Sequence, residues 1–330
     1  MQILVTGGAG FIGSHTCVEL LNEGFEVVVI DNFANSKPKA IDAVKELTGK
    51  PLKFYEGDIC DPATLNQIFT ENNISCVIHF AGHKAVAESV ADPLMYYHNN
   101  IYGTTVLLEV MKNHNCKSMI FSSSATVYGI PKTSPITEKA PLDAINPYGR
   151  TKLFIEEICR DLSTSDEEWS FSLLRYFNPV GAHESGKLGE DPNGIPNNLM
   201  PIIMQVASGK ISELKVFGND YPTSDGTCVR DYIHVVDLAK GHIAALKNIK
   251  QGVSAYNLGT GKGYSVLDMI EAFGRVNGLN IPYQFAPRRP GDAAECWSDP
   301  SKAAQELGWK TNLEIEQMCI DAWEFVQNNN

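Results

Sequence analysis

The stretch Gln2-Ile-Leu-Val-Thr6 runs directly into Gly7-Gly-Ala-Gly-Phe-Ile-Gly13. A β-prone run, then a glycine-rich turn that opens a helical pattern, admits few architectures. Glycines at 7, 10 and 13 suit a tight turn, close approach of backbone to a pyrophosphate, and close packing of helix on strand. The free amides and the dipole at such a helix start attract phosphate. Asp31 closes the second apolar run, EVVVI (26–30), 18 residues after Gly13. A carboxylate there accepts from ribose hydroxyls and repels a 2′-phosphate, which favours NAD over NADP. The plain alternative for Asp31 is a loop cap.

The first half continues this alternation. Strands are expected at 2–6, 26–30, 53–57, 76–81, 118–123 and 171–177, with helices near 12–23, 37–48, 61–72, 93–114 and 147–163. Nearly all-apolar strands alternating with helices predict a doubly wound, mostly parallel, Rossmann-like α/β sheet covered on both faces. After about residue 178 the texture changes to NPVGAHESGKLGEDPNGIPNN, rich in loop formers. Core-like strand and helix return at 231–246 and 254–259. The expected division is therefore interleaved: 1–177 plus about 231–259 for NAD, and 178–230 plus about 260–330 as a smaller α/β substrate domain.

Composition narrows the function. With 330 residues, 43% hydrophobic and 20% charged, the chain suits an ordinary globular protein with a substantial core. A net charge of −12 argues against a nucleic-acid or membrane-surface binder. The eight cysteines form no CxxC pair, which suits a reducing cytoplasm better than a disulfide or zinc framework. No run approaches the roughly 20 apolar residues of a membrane span, and MQILVTGG lacks the pattern of a signal peptide. Asn73-Ile74-Ser75 matches a glycosylation sequon and is read as a chance match.

The next constellation is NPYGRTK (146–152). Tyr148 and Lys152 are one helical turn apart, on the edge of an apolar stripe formed by Ile155, Ile158, Cys159 and Leu162. A tyrosine there is unremarkable, but a lysine turned toward a core needs a reason, because an unpaired ammonium is expensive to bury. FSSSATVYG (121–129) places Ser122, Ser123, Ser124 and Thr126 at the end of the preceding strand, where the crevice of a parallel sheet opens. Gly57-Asp58-Ile59 and Phe80-Ala81-Gly82 end the third and fourth strands on the same side. Asp58 either meets the adenine or caps the following helix. His79 and His83 have a metal-like spacing, but they sit at a strand end, and no metal is assigned.

Taken together, a dinucleotide signature, a strand-end hydroxyl and a Tyr-x-x-x-Lys pair resemble the extended short-chain dehydrogenase/reductase family. The run of LLRYFNPVGAH, GIPNNLMP, FGNDYPTSDGTCVRDYIHV and APRRPGD is similar to its UDP-hexose 4-epimerases over nearly the whole chain. The resemblance implies that Tyr148 is the acid/base at the sugar 4-hydroxyl, that Lys152 and the nicotinamide stabilise its phenolate, and that Ser124 donates to the substrate oxygen. It further implies NAD contacts from Phe11, Ile12, Asn32, Asn35, Ser36, Lys84, Asn99, Tyr176 and Phe177. On the UDP-sugar side it implies Lys84, Thr126, Phe177, Asn178, Asn198 and Leu199. Lys215, Val216 and Phe217 would frame uracil, Arg230 and Arg289 would hold the diphosphate, and Asp292 would hold ribose. Cys296 would face the sugar.

Dehydratases and decarboxylases of the family carry an acidic residue before VYG, where this chain has Ser124-Ala125-Thr126. The implied reaction is thus NAD-dependent 4-epimerisation of UDP-galactose and UDP-glucose, extended by Cys296 to their N-acetylated counterparts. A homodimer formed through the helices around 93–114 and 147–163 is implied as well. The alternatives are another nucleotide-sugar epimerase or dehydratase, or a non-catalytic NAD sensor.

Overall fold

The protein is described by a computed structural model covering residues 1–193, 198–289 and 291–329. Residues 194–197 of the GIPNNLMP stretch and residue 290 of APRRPGD lie outside the described residues. From the start the chain alternates β1 (Gln2–Thr6), α1 (Phe11–Asn22), β2 (Glu26–Asp31), α2 (Lys39–Thr48), β3 (Lys53–Glu56), α3 (Pro62–Glu71) and β4 (Ile74–His79). Then come α4 (Val86–Ala91), α5 (Pro93–Tyr96), a π-helical turn (Tyr97–Tyr102), α6 (Gly103–Asn113) and β5 (Ser118–Ser124). A 3-10 turn (Ala125–Tyr128) precedes α7 (Pro147–Ser165) and β6 (Ser170–Tyr176).

The remainder holds β7 (Asn178–Val180), α8 (Leu199–Ala207), β8 (Leu214–Phe217), β9 (Val229–Arg230), β10 (Tyr232–His234), α9 (Val235–Lys247) and β11 (Gly252–Leu258). It ends with β12 (Tyr264–Ser265), α10 (Val266–Asn277), β13 (Tyr283–Ala286), β14 (Glu295–Cys296), α11 (Ser301–Leu307) and α12 (Ile315–Asn329).

Seven parallel strands form the main sheet in the order β11-β6-β5-β4-β1-β2-β3. The expected doubly wound fold is what these strands build. Period-two alternation explains its two cores: Ile3 and Val5 of β1 pack with α1, α2 and α9, while Leu4 packs with α3, α6 and α7. The chain reverses direction across the sheet between β1 and β4, and the carboxyl ends there form the crevice where such folds bind ligands. A third cluster joins α8, α10 and α12 through Ile203, Met269, Phe273 and Met318. The small sheets β8–β13 and β12–β9–β14 carry the loops that face the crevice.

The helix expected at 93–114 starts where expected but is divided into α5 and α6 by the π turn. Asp92 accepts from the Met95 amide, and Pro93 stands at the first helical position, so a new helix starts at Pro93. Past it, the π turn carries buried Asn100, whose side chain pairs with both backbone groups of His83 and with Thr151 Oγ1. Helix α4, unforeseen in the sequence, fills the gap after β4. No helix among the described residues is long and apolar enough to cross a membrane.

Candidate active site

The glycine loop is shaped by exclusion. Gly7 has φ +69°, and a Cβ there would lie 2.8 Å from the Ala81 amide nitrogen. A Cβ on Gly13 would lie 2.3 Å from the Gly7 carbonyl oxygen, so α1 packs against the turn only because residue 13 has no side chain. Gly10 caps α1 without a side-chain acceptor, leaving the amides of the first turn directed at the crevice. This cradle fits a pyrophosphate.

Asp31 is 7% exposed and holds the loop together. Its Oδ2 accepts from the Ala9 amide at 2.9 Å, and its Oδ1 accepts from the Phe33 amide at 2.9 Å and Ser36 Oγ at 2.8 Å. Of about four acceptor positions on a carboxylate, three are used within the chain, and one is left for a hydroxyl of the ligand. The loop-cap reading and the ligand reading are therefore compatible. Asp58 accepts from Asn32 Nδ2 at 3.0 Å and from the Cys60 amide at 2.8 Å. The cap of α3 is Asp61, so Asp58 does not have the helix-capping role open to it in the sequence.

A cavity of about 1810 Å³ runs from this cradle to the small sheets. That exceeds the roughly 300–1,000 Å³ typical of a site for one drug-sized ligand and leaves room for two. The glycine loop, Asp31, Asn32, Ala34 to Ser36, the Phe80-Ala81-Gly82 turn, Lys84, Asn99, Ser122, Ser124, Thr126, Tyr148, Lys152 and Tyr176 to Asn178 line it, together with Asn198, Leu199, Lys215 to Phe217, Arg230, Arg289 and Asp292. Two residues expected at the site stand back from its wall. Asp58 is one. Cys296 is the other: it packs on the small cluster of Ala125, Val127, Tyr128, Ile136 and Phe177, so that Phe177 presents that cluster to the cavity. His79 hydrogen-bonds Thr6 and Thr104 in the core, and no group of metal-ligating side chains occurs among the described residues.

Midway along the cavity, β5 and α7 bring Ser124, Tyr148 and Lys152 together. Asn146 caps α7 by accepting from the Gly149 amide, and Pro147 occupies its first turn, which fixes where the Tyr148 face begins. Ser124 Oγ accepts from both the amide and the hydroxyl of Thr126, at 3.2 and 3.0 Å. Its acceptor capacity is thereby filled, which leaves its one proton to donate toward the Tyr148 oxygen. Lys152 is buried, with Nζ 4.9 Å from the Phe121 ring centroid and 5.9 Å from that of Tyr148.

Burial lowers the Lys152 amine to about 7. Burial also raises the Tyr148 phenol, against a smaller opposing pull from a Ser124 hydrogen bond. The resemblance gave the lowering of the phenol to Lys152 and the nicotinamide together. Within the chain itself desolvation dominates for both groups, since both pass from water into a low-dielectric wall.

At the far end Arg230 and Arg289 converge on Asp292. Arg289 Nε is 3.0 Å from Asp292 Oδ2, and Arg230 Nη2 is 3.8 Å from Oδ1. The Arg289 guanidinium also lies 4.9 Å from the Phe217 ring centroid. Behind them, fully buried Asp231 accepts from Thr260, Gly261 and Ser298, and its carbonyl accepts from the Asn178 amide. That single residue ties the Arg230 strand to the end of β11.

The sequence reading missed Glu190 and Asp191. Glu190 accepts from Lys84 Nζ and Asn198 Nδ2, both at 3.0 Å, and so joins two expected ligand contacts. Asp191 pairs with Lys37 and Lys39, each at 2.6 Å, beside the loop that follows β2. An acidic pair in a loop has no periodicity to mark it, and its lysine partners are more than a hundred residues away.

A Rossmann-type sheet with a phosphate cradle, a strand-end serine and a Tyr-x-x-x-Lys pair in one cavity defines a class. A family model described as GDP-mannose 4,6 dehydratase matches residues 4–322, and the chain belongs to the extended short-chain dehydrogenase/reductase family. The UDP-glucose 4-epimerase of Bacillus subtilis (strain 168) is 62% identical over 331 residues, covering 100% of this chain and 98% of that protein. The structure of UDP-glucose 4-epimerase from Bifidobacterium longum, in complex with NAD+ and UDP, matches with a TM-score of 0.97 at 58% identity. That match covers 100% of this chain and 99% of the other. The UDP-Glc/GlcNAc 4-epimerase of Campylobacter jejuni matches with a TM-score of 0.86 at 38% identity over 99% of each chain. Within the class, the chain falls among the UDP-glucose 4-epimerases.

Proposed function

We propose that this chain interconverts UDP-galactose and UDP-glucose by NAD-dependent epimerisation at C4, through a 4-keto sugar. The observation that carries the reading is the meeting of Ser124, Tyr148 and Lys152 midway between a phosphate cradle and an arginine pair, in one cavity. The glycine loop and Asp31 hold NAD, which supplies the nicotinamide that accepts and returns hydride at C4. Tyr148 takes the proton of the 4-hydroxyl and later returns it. Ser124, its acceptor positions taken by Thr126, donates to the same oxygen and orients the transfer. Lys152, where charged, favours the phenolate. Arg230 and Arg289 hold the diphosphate, and Phe217 with its strand neighbours frames the base.

A dehydratase or decarboxylase needs an acidic group beside the reacting carbon, and the Ser124-Ala125-Thr126 segment has none. The ketone is left to turn over and take hydride on its other face. The test is incubation of the purified protein with UDP-galactose, without added NAD. Formation of UDP-glucose of unchanged mass is expected. Loss of the mass of water, or no conversion even after NAD is supplied, overturns the reading.

We extend the proposal to the N-acetylated sugars. Cys296 and Phe177 share one apolar cluster at the cavity, and a tyrosine at 296 would crowd Phe177 toward the sugar. Cys296→Tyr should suppress turnover of UDP-N-acetylglucosamine while sparing UDP-galactose. Absence of the acetylated reaction in the unmutated protein refutes this. Val90, Leu94, Tyr102 and Phe154 are exposed on the adjoining α4, α5, π turn and α7. Such an apolar patch suits an isologous contact with a second copy of the chain, supporting a homodimer. The division into two interleaved domains, a cytoplasmic location and a part in galactose metabolism belong to the same proposal.

A further inference from the structure

Beneath the three reacting side chains lies an ion pair with no role in the chemistry itself. Glu156, one turn after Lys152 on α7, is 0% exposed, and Arg175 on β6, beside Tyr176, is 1% exposed. Arg175 grips both carboxylate oxygens, Nε to Oε1 at 2.9 Å and Nη2 to Oε2 at 2.6 Å. Ser123, between Ser122 and Ser124, donates to Oε1 at 2.6 Å, and Arg160 Nη2 reaches Oε2 at 3.3 Å. On its other side Arg175 Nη1 donates to the Tyr128 hydroxyl at 3.0 Å, and that hydroxyl donates to Asn257 Oδ1 on β11 at 2.7 Å. One carboxylate thus joins α7 to β5 and β6, and the guanidinium continues the chain of bonds to the 3-10 turn and β11.

Stability alone does not account for this arrangement. Desolvating two ions costs several kcal/mol each, and an apolar pair of similar volume commonly serves as well. A forked guanidinium–carboxylate pair does supply a single geometry, whereas an apolar contact between a helix and a sheet tolerates sliding. The residues flanking the network are those of the site: Ser122 and Ser124 on β5, Lys152 one turn back on α7, and Tyr176 on β6. Misplacement by about 1 Å is enough to cost on the order of a hundredfold in rate.

We propose that Glu156 and Arg175 are positioning residues, setting the height and rotation of α7 on the sheet so that Tyr148 and Lys152 meet Ser124 at the substrate 4-oxygen. The inference rests on the epimerase reading. It predicts that damage to the pair lowers kcat and leaves binding alone, because neither residue touches the diphosphate or adenosine ends of the cavity.

The experiment uses the purified protein as isolated and compares it with Arg175→Lys, which keeps the charge and loses the fork, and Ser123→Ala, which removes one hydrogen bond. Steady-state kinetics with UDP-galactose, calorimetric titration with UDP and thermal melting are measured for each. Arg175→Lys should lose roughly 10- to 100-fold in kcat, while KM and the Kd for UDP stay within about threefold. If Arg175→Lys fails to fold, Ser123→Ala decides the matter, with kcat about three- to tenfold lower and Kd for UDP unchanged. Wild-type kcat per folded molecule in these variants overturns the proposal, as does a fall in kcat matched by an equal weakening of UDP binding. If the unmutated protein does not convert UDP-galactose, the epimerase reading fails and the inference falls with it. An active parent with unimpaired variants overturns the positioning role alone.

Discussion

Replacing Lys152 with methionine removes an amine whose charged form is held out of water, and the consequences for stability and for turnover should have opposite signs. The fall of the amine from 10.5 to about 7, caused by burial, corresponds at 1.36 kcal/mol per pKa unit to roughly 4–5 kcal/mol of desolvation cost near neutral pH. The stacking of the ammonium on Phe121 returns about 1–2 kcal/mol when desolvated, so a net stabilisation of about 2–4 kcal/mol is expected from a methionine of similar length. The pH dependence has a defined sign. The folded value lies below the unfolded one, so between about pH 7 and 10.5 the unfolded chain binds the extra proton and native stability rises with pH. Methionine removes that rise.

Urea unfolding of parent and variant at several pH values across this window, on protein stripped of dinucleotide, measures both quantities. The difference between the two proteins isolates Lys152 from every other titrating group. Turnover of UDP-galactose by the variant should fall by on the order of a hundredfold or more. A variant less stable than the parent at pH 7, or one retaining the parent's slope up to pH 10.5, refutes the argument from burial.

Tyr148→Phe should keep the fold and lose on the order of a hundredfold or more in kcat; near-parental turnover removes Tyr148 as the acid/base. Asp31→Ala leaves the Ala9 and Phe33 amides unpaired and should cost about 1–3 kcal/mol of stability. It should also narrow the preference for NAD over NADP, and unchanged discrimination in cofactor titrations counts against the ribose contact. Phe154→Glu, on an exposed face of α7, should sediment as a monomer at micromolar concentration if that face is the dimer contact; an undisturbed dimer places the contact elsewhere.

The sequence by itself determined the frame of this protein. β1, β2 and β5 each carry an unbroken apolar run (Ile3 to Val5, Val27 to Ile30, Met119 to Phe121), and that signal is local because both faces of a parallel strand are buried. Glycines 7 and 13 were legible because only a residue without a side chain fits where backbone meets backbone. The Tyr148–Lys152 spacing is one helical turn, so shared facing follows from the helix alone. The resemblance then gave roles to Arg230 and Arg289 that a loop arginine does not announce.

Tertiary structure decided the rest. Arg175 meets Glu156 across 19 positions, and Lys84 meets Glu190 across 106, so neither pairing has a periodicity to betray it. The start at Pro93 was local, but the π turn that divides this helix and holds Asn100 depends on His83 and Thr151 arriving from other segments. Cys296 has its place behind Phe177 only because β14 pairs with β9. The low Lys152 value is likewise a property of the assembled wall. Local periodicity sets which elements form. Desolvation and long-range pairing arise only where the folded chain closes around a side chain.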